Sequence, residues 1–310
     1  MRVLVTGATG FIGSSVSRAL LAEGHEVTGL VRDPARAADL AAAGATLHRA
    51  DMREPSGYAP LVADVDAVVH AAQLATRSPL TRGRMRVQQA ADATMTRALA
   101  DECLQHGRRL VYTGGCFDFG DHGDDWIDEA TPLTPSPLGE GHTARARELD
   151  VLSRERGLDL VRLAPGFVYG PGGLFRTAFV DQAAKGRLRC IGRGANYWSS
   201  VHVDDLAAAY VAAVTRAAPG SAYVVVDDEP LRLRTITDLV ATAAGRGPVG
   251  SAPPALLGLL LGRPLVASLV TSFRMRSDRI RKELGWQPSR PTAREAMPAL
   301  VGTMLGRAPG

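Results

Sequence analysis

Apolar and polar positions along the chain fall into two alternating periods. Short apolar runs stand at Arg2–Thr6, Glu26–Val31, Ala45–Arg49, Ala67–His70, Arg109–Thr113 and Asp159–Leu163. Between them the apolar positions take helical spacing, over Ser14–Glu23, the alanine-rich Pro34–Ala43, a long segment Arg86–His106, and Gly139–Arg156. Strand-length runs alternating with helical segments predict parallel strands joined by crossover helices. Beyond Gly170 the alternation loosens: helices over Leu174–Lys185 and Asp204–Arg216, a strand Ala222–Val226, and helices near Thr235, Leu256, Ser277 and Thr292.

The first run passes directly into Gly7-Ala8-Thr9-Gly10-Phe11-Ile12-Gly13 and then a helix. In such a turn the first glycine allows the sharp bend and the second lets a diphosphate approach the backbone. The third lets the helix pack on the strand, so that free N–H groups and the helix dipole face the anion. A glycine-rich turn alone is the plainer reading; the strand before it and the helix after it favour a nucleotide cradle. The expected fold class is α/β, a Rossmann-type doubly wound parallel sheet over residues 1–170. A smaller C-terminal substrate lobe over 171–310 is expected to return some segments to that sheet.

Composition narrows the partners. The chain has 310 residues, 45% of them hydrophobic, enough for one large domain and a smaller lobe. Its first strand starts beside Met1, which leaves no room for a leader, so a cytoplasmic protein is expected. The most apolar later segment, Ala255–Val270, is interrupted by Arg263-Pro264 and reads as a lobe helix rather than a membrane span. The net charge of +4 comes from arginines scattered among acids, so no nucleic-acid partner is expected. Three cysteines without a CxxC pair imply reduced thiols and no cysteine-based metal site.

Further segments follow the cradle: Asp51-Met52, His70-Ala71-Ala72, Leu110–Thr113, Arg162–Gly172, Val201–Asp205 and Leu284–Pro288. In this order they resemble the extended short-chain dehydrogenase/reductase family of sugar-nucleotide epimerases, dehydratases and dihydroflavonol-type reductases. The resemblance implies a nicotinamide dinucleotide held by Gly7, Thr9, Gly10, Phe11, Ile12 and Gly13. It implies Asp51 on the adenine amino group with Met52 beside it, and Ala71, Ala72, Gln73, Thr113 and Pro165 along the rest of the cofactor. A carboxylate ending the second strand would favour NAD; here Val31 is followed by Arg32, whose guanidinium suits the extra phosphate of NADP(H). NADP(H) is therefore expected over NAD(H), although Arg32 could equally pair with Asp33.

The family's acid/base machinery does not carry over. Its members use a Tyr and a Lys four residues later, with a Ser or Thr after strand five and often an Asn on the preceding helix. The cation brings the phenol toward neutral pH so that it can trade a proton with substrate. This chain has only two lysines, Lys185 and Lys282, preceded at four residues by Asp181 and Asp278. Counting from Glu148, the Tyr position falls on Glu140 and the Lys position on Ala144; counting from Gly120, the Ser position falls on Gly115. The Asn position falls near Ala90, and the single Asn is Asn196.

The remaining catalytic candidates are His142, Glu140 and Thr113, each with a plainer role as a surface histidine, a dipole partner or a buried strand residue. Cys116, Tyr169, Tyr197, Trp198 and Arg274 are the candidate substrate contacts, and Asp204 reads as a helix N-cap. The leading expectation is an NADP(H)-dependent oxidoreductase or epimerase-like enzyme acting on a carbonyl or hydroxyl of a small molecule with non-standard acid/base residues. The alternatives are a non-redox isomerase, lyase or cyclase, and a non-catalytic nucleotide-binding regulator whose acidic loop, Asp118 to Asp125, meets a partner. A homodimer through the two long helices is also expected.

Overall fold

The structure, a computed structural model, describes residues 1–74 and 79–307. Seven parallel strands form the main sheet: β1 (Arg2–Thr6), β2 (Glu26–Val31), β3 (Thr46–Arg49), β4 (Ala67–His70), β5 (Arg109–Thr113), β6 (Leu160–Pro165) and β7 (Ser221–Val225). Their spatial order is β7-β6-β5-β4-β1-β2-β3. The chain starts mid-sheet, grows outward through β2 and β3, and then returns to place β4 on the other side of β1. Growth reverses between β1 and β4, and in open sheets of this kind ligands bind at such a switch point, outside the carboxyl ends of the strands.

The period-two alternation of β1 sets the layers. Val3 and Val5 face a core shared with Val16 and Leu20 of α1 (Phe11–Ala22) and Leu206 and Tyr210 of the helix Val203–Arg216. Leu4 faces the opposite layer, with Met95 and Leu99 of one long helix, Arg82–His106, and Leu149 of another, Glu140–Arg156. The first of these starts earlier than its apolar spacing suggested because Thr81 caps it, its Oγ1 accepting from the Arg84 N–H at 3.3 Å. Both long helices end on a left-handed glycine, Gly107 and Gly157, which relieves the strain a side chain would meet there.

The second half of the chain gives β7 and the helix Val203–Arg216 back to the sheet. Its remainder packs around a separate cluster in which the Phe167, Phe179, Trp198 and Phe273 rings meet. The segment read as one helix from Leu174 is instead a π-helical turn, Phe175–Val180, followed by a short α-turn, Asp181–Ala184. Among the described residues no helix is long and apolar enough to cross a membrane.

Candidate active site

Each glycine of the turn after β1 answers a different steric demand. Gly7 is left-handed, with φ +68, and a Cβ on it would come within 2.8 Å of Ala72 Cα. The Gly10 N–H closes the turn onto the Gly7 carbonyl at 2.8 Å, and a Cβ on Gly13 would lie 2.2 Å from that same oxygen. No acidic residue stands in the first turn of α1 and no side chain caps it, so its leading N–H groups are left for an anion. Thr9 is exposed and Ile12 half-buried, while the Phe11 ring lies over Gly170, Gly172 and Gly173 and leaves only its backbone to the cradle.

The turn after β4 is tied to this one. Thr6 Oγ1 accepts from the N–H groups of Ala71 (3.2 Å) and Ala72 (3.0 Å) and bonds His70 Nδ1 at 2.9 Å. His70 Nε2 meets Thr96 Oγ1 at 3.0 Å, and burial pushes the imidazole down to about 4. It is therefore neutral at physiological pH, and the support under the cradle carries no charge. These features fit the diphosphate of a dinucleotide.

At the end of β2, Val31 is buried and Arg32 exposed. Asp33 caps the following turn, its Oδ1 accepting from the Ala35 N–H at 3.1 Å, and Arg32 has no ion-pair partner among the described residues. Asp51 is engaged within its own turn. Its Oδ1 accepts from the backbone N–H and Nε of Arg53, both at 2.9 Å, and its Oδ2 from Nη2 at 2.6 Å. Hydrogen bonds from Arg53 hold the carboxyl down at about 2. The group expected to receive the adenine amine is thus gripped by a guanidinium that the sequence reading passed over. Met52 is buried, its carbonyl accepting from the Tyr58 hydroxyl at 3.1 Å.

A cleft of about 480 Å³ opens at the carboxyl ends of β4, β5 and β6, with Gln73, Cys116, His142 and Pro165 on its walls. His142 is half-buried and lies between two partners, its Nε2 3.2 Å from Gln73 Nε2 and its Nδ1 3.3 Å from the Tyr112 hydroxyl. Tyr112 is itself buried, and burial drives its phenol well above the usual range, the reverse of what a catalytic tyrosine needs. Glu140, two residues before His142, is exposed and does not line the cleft. Thr113 is committed as well, its Oγ1 donating to the His70 carbonyl at 2.8 Å and meeting the Tyr210 hydroxyl at 2.6 Å. Cys116 is buried, burial raises its thiol, and it offers the cleft a small apolar surface.

Asp118, read from sequence as part of a solvated acidic loop, is 4% exposed and lines the cleft. Its Oδ2 accepts from the Gly115 N–H at 2.9 Å while its Oδ1 has no partner. Burial pushes its carboxyl up to about 6. A Cβ on Gly114 would come 2.6 Å from Oδ2, so the carboxylate fits only because residue 114 has no side chain. The sequence trace of this is Gly114, next to the Gly115 at which the family's serine is missing. The rest of that loop is spent on structure: Asp121 Oδ1 accepts from the Ser272 N–H at 3.0 Å and Asp124 pairs with Arg232.

The other expected substrate contacts lie elsewhere. Tyr169 is fully buried against His202, ring centroids 5.1 Å apart, and Trp198 lies in the lobe core, 4.9 Å from Phe167 and 5.5 Å from Phe273. Their size and aromaticity serve packing. Tyr197 and Arg274 belong to a stack outside the cleft, Arg274 lying 4.1 Å from the Trp126 ring centre and 5.0 Å from that of Tyr197. At the start of the helix Val203–Arg216 the cap is His202, whose Nδ1 accepts from the Asp204 N–H at 3.2 Å, and not Asp204.

Comparison with known proteins agrees with this geometry. The sequence model of the NAD dependent epimerase/dehydratase family matches residues 3–226. A Streptomyces protein named 3-diazoavenalumate denitrifying reductase is 35% identical over 310 residues, covering 96% of this chain and 99% of that one. The 2-alkyl-3-oxoalkanoate reductase of Stenotrophomonas maltophilia is 29% identical over 79% of this chain and 76% of its own. The Thermus thermophilus UDP-glucose 4-epimerase, solved in complex with NAD, superposes with a TM-score of 0.80 at 25% identity, over 99% of this chain and 100% of that one. With the glycine cradle, the switch-point cleft and the family match in agreement, this chain belongs to the NAD-dependent epimerase/dehydratase family of extended short-chain dehydrogenases/reductases.

Proposed function

We propose that this protein is an NADP(H)-dependent reductase of a small molecule whose reduction calls for no phenolic proton donor. The observation that carries the reading is a cleft adjoining an intact dinucleotide cradle, with His142 on its wall and, among the described residues, neither a Tyr-Lys pair nor a serine beside it. Bound in the cradle, the dinucleotide supplies a hydride. Arg32, exposed and without an ion-pair partner among the described residues, supports the choice of NADP: its guanidinium would hold the 2′-phosphate.

His142 is the proton-handling group. Asp150 accepts from Arg162 Nε of β6 at 2.7 Å, whereas Glu148 accepts from Arg145 of its own helix and from Arg97 of the other long helix. Counting back from Asp150 instead of Glu148 moves the family's acid/base position from Glu140 to His142.

The substrate follows from the absence of a phenol–lysine pair to donate a proton as hydride arrives; His142 moves a proton only afterwards. A ketone that accepts hydride becomes an alkoxide and needs a well-placed acid. An arenediazonium ion is neutralised by hydride to an aryl diazene, which releases N2 as its N–H proton passes to the ring carbon. The denitrifying reduction of a diazo compound, named for the Streptomyces relative, is of this kind. The test combines the protein with benzenediazonium and NADPH deuterated at the transferred position, with ethyl acetoacetate as the ketone control. Expected are benzene and N2 each equal to NADPH consumed, slower oxidation of the deuterated than of the unlabelled cofactor, and faster reaction than without protein. No N2 coupled to NADPH oxidation, or a rate no higher than the uncatalysed one, would refute the reading.

A further inference from the structure

The walls of the cleft carry a charge that the rest of the chain does not lead one to expect. The protein has 36 Lys and Arg against 32 Asp and Glu, yet among the described residues lining the cleft there is no Lys or Arg. Among the described residues, the lining groups able to carry charge are Asp92, Asp118 and His142. Asp118 is 4% exposed with an unpartnered Oδ1, and Asp92 is 5% exposed. Asp92 has no hydrogen bond among the described residues, and its nearest basic group is the neutral His70, with Nε2 3.9 Å away.

His142, Arg162 and the Thr143 hydroxyl favour the charged form of Asp118, but burial outweighs them and none is a cation that belongs to it alone. Arg162 is engaged by Asp150, the Gly115 N–H takes Oδ2, Tyr112 keeps its proton, and His142 already has Gln73 and Tyr112. Buried carboxylates without a cation are costly, and a chain keeps them where something else supplies the charge.

We infer that the cleft binds the cationic head of its substrate, an aromatic ammonium or diazonium type of group, against the Asp118 carboxylate, with Asp92 as a second carboxylate. This rests on the reading of the cleft as the substrate site and names the class of substrate it takes. The inference concerns binding and does not require turnover, so it fails or holds separately from hydride transfer.

The test uses two phenols of nearly equal shape, 4-(trimethylammonio)phenol and 4-tert-butylphenol, titrated calorimetrically into the protein saturated with NADP+ and into the protein alone. The expected result is binding of the cation at least about ten-fold tighter than of the neutral probe, consistent with one charge-assisted contact. Asp118→Asn should remove most of that preference and Asp92→Asn part of it. Equal affinities in the unmodified protein would overturn the inference, as would a preference that survives Asp118→Asn. A third result would overturn it too: Asp118→Asn shifting the relative affinity for NADP+ and NADPH while leaving probe preference intact. That would assign the carboxylate to the cofactor's pyridinium ring.

Discussion

Replacing Asp118 by Asn should make the protein more stable and less selective, and the first effect can be worked out from the structure. In the folded chain burial lifts the carboxyl from 3.8 to about 6. Between these values the folded state holds a proton that the unfolded chain has released, so stability falls as pH rises through the window. Integrated, the cost is about 1.5 kcal/mol at pH 5 and about 3 kcal/mol at pH 8. Asn keeps the shape and an oxygen for the Gly115 N–H but has no charge to desolvate. Asp118→Asn should therefore gain about 1.5 kcal/mol at pH 5 and about 3 kcal/mol at pH 8. Urea unfolding of both proteins at the two pH values, with midpoint and slope compared, measures the gain. A variant less stable at pH 8, or a gain that does not change with pH, would refute the argument. A residue that costs stability and is retained is the pattern expected of a functional group.

Three further outcomes test the rest of the site. His142→Ala should lower N2 release coupled to NADPH oxidation with the diazonium probe at least about ten-fold if the imidazole handles the proton; an unchanged rate removes His142 from the mechanism. Arg32→Ala should weaken NADPH roughly ten-fold by loss of one charge-assisted contact while NADH binding stays the same, read by energy transfer from intrinsic fluorescence to the nicotinamide. Gly13→Ala places a methyl 2.2 Å from the Gly7 carbonyl oxygen. Such overpacking costs about 1–3 kcal/mol, so this variant should lose stability in denaturation and bind neither nucleotide; normal binding would show that the turn is not the cradle.

What could be read from sequence was what repeats with a period or recurs as a motif. β1, β2, β4 and β5 stand at the residues their apolar runs marked, because a strand buried on both faces is a short apolar run with sharp ends. The Leu174–Lys185 segment did not yield its π-helical turn, since a shift in backbone hydrogen bonding leaves the apolar spacing nearly unchanged. Tyr169 and Trp198 illustrate the limit for side chains. Nothing local distinguishes an aromatic that lines a pocket from one that fills a core, and the lobe's long-range packing decides it.

Asp118 shows a different kind of illegibility. Its neighbours Asp121, Asp124 and Asp125, with Gly120 and Gly123 among them, have the composition of a solvated loop, and by composition Asp118 belongs with them. What separates it is a steric dependence on Gly114 and a single hydrogen bond from Gly115, both visible only once the turn after β5 is folded. At the level of motif these glycines register as a loss, the family's serine gone. Folded, they admit a carboxylate where a side chain at 114 would have excluded it. The missing hydroxyl at 115 and the carboxylate admitted by Gly114 are neighbours in one turn, so the cleft there carries a negative charge and no serine donor. A site altered in this way is poorly suited to the oxyanion of a reduced ketone and well suited to an electrophile that arrives already positive.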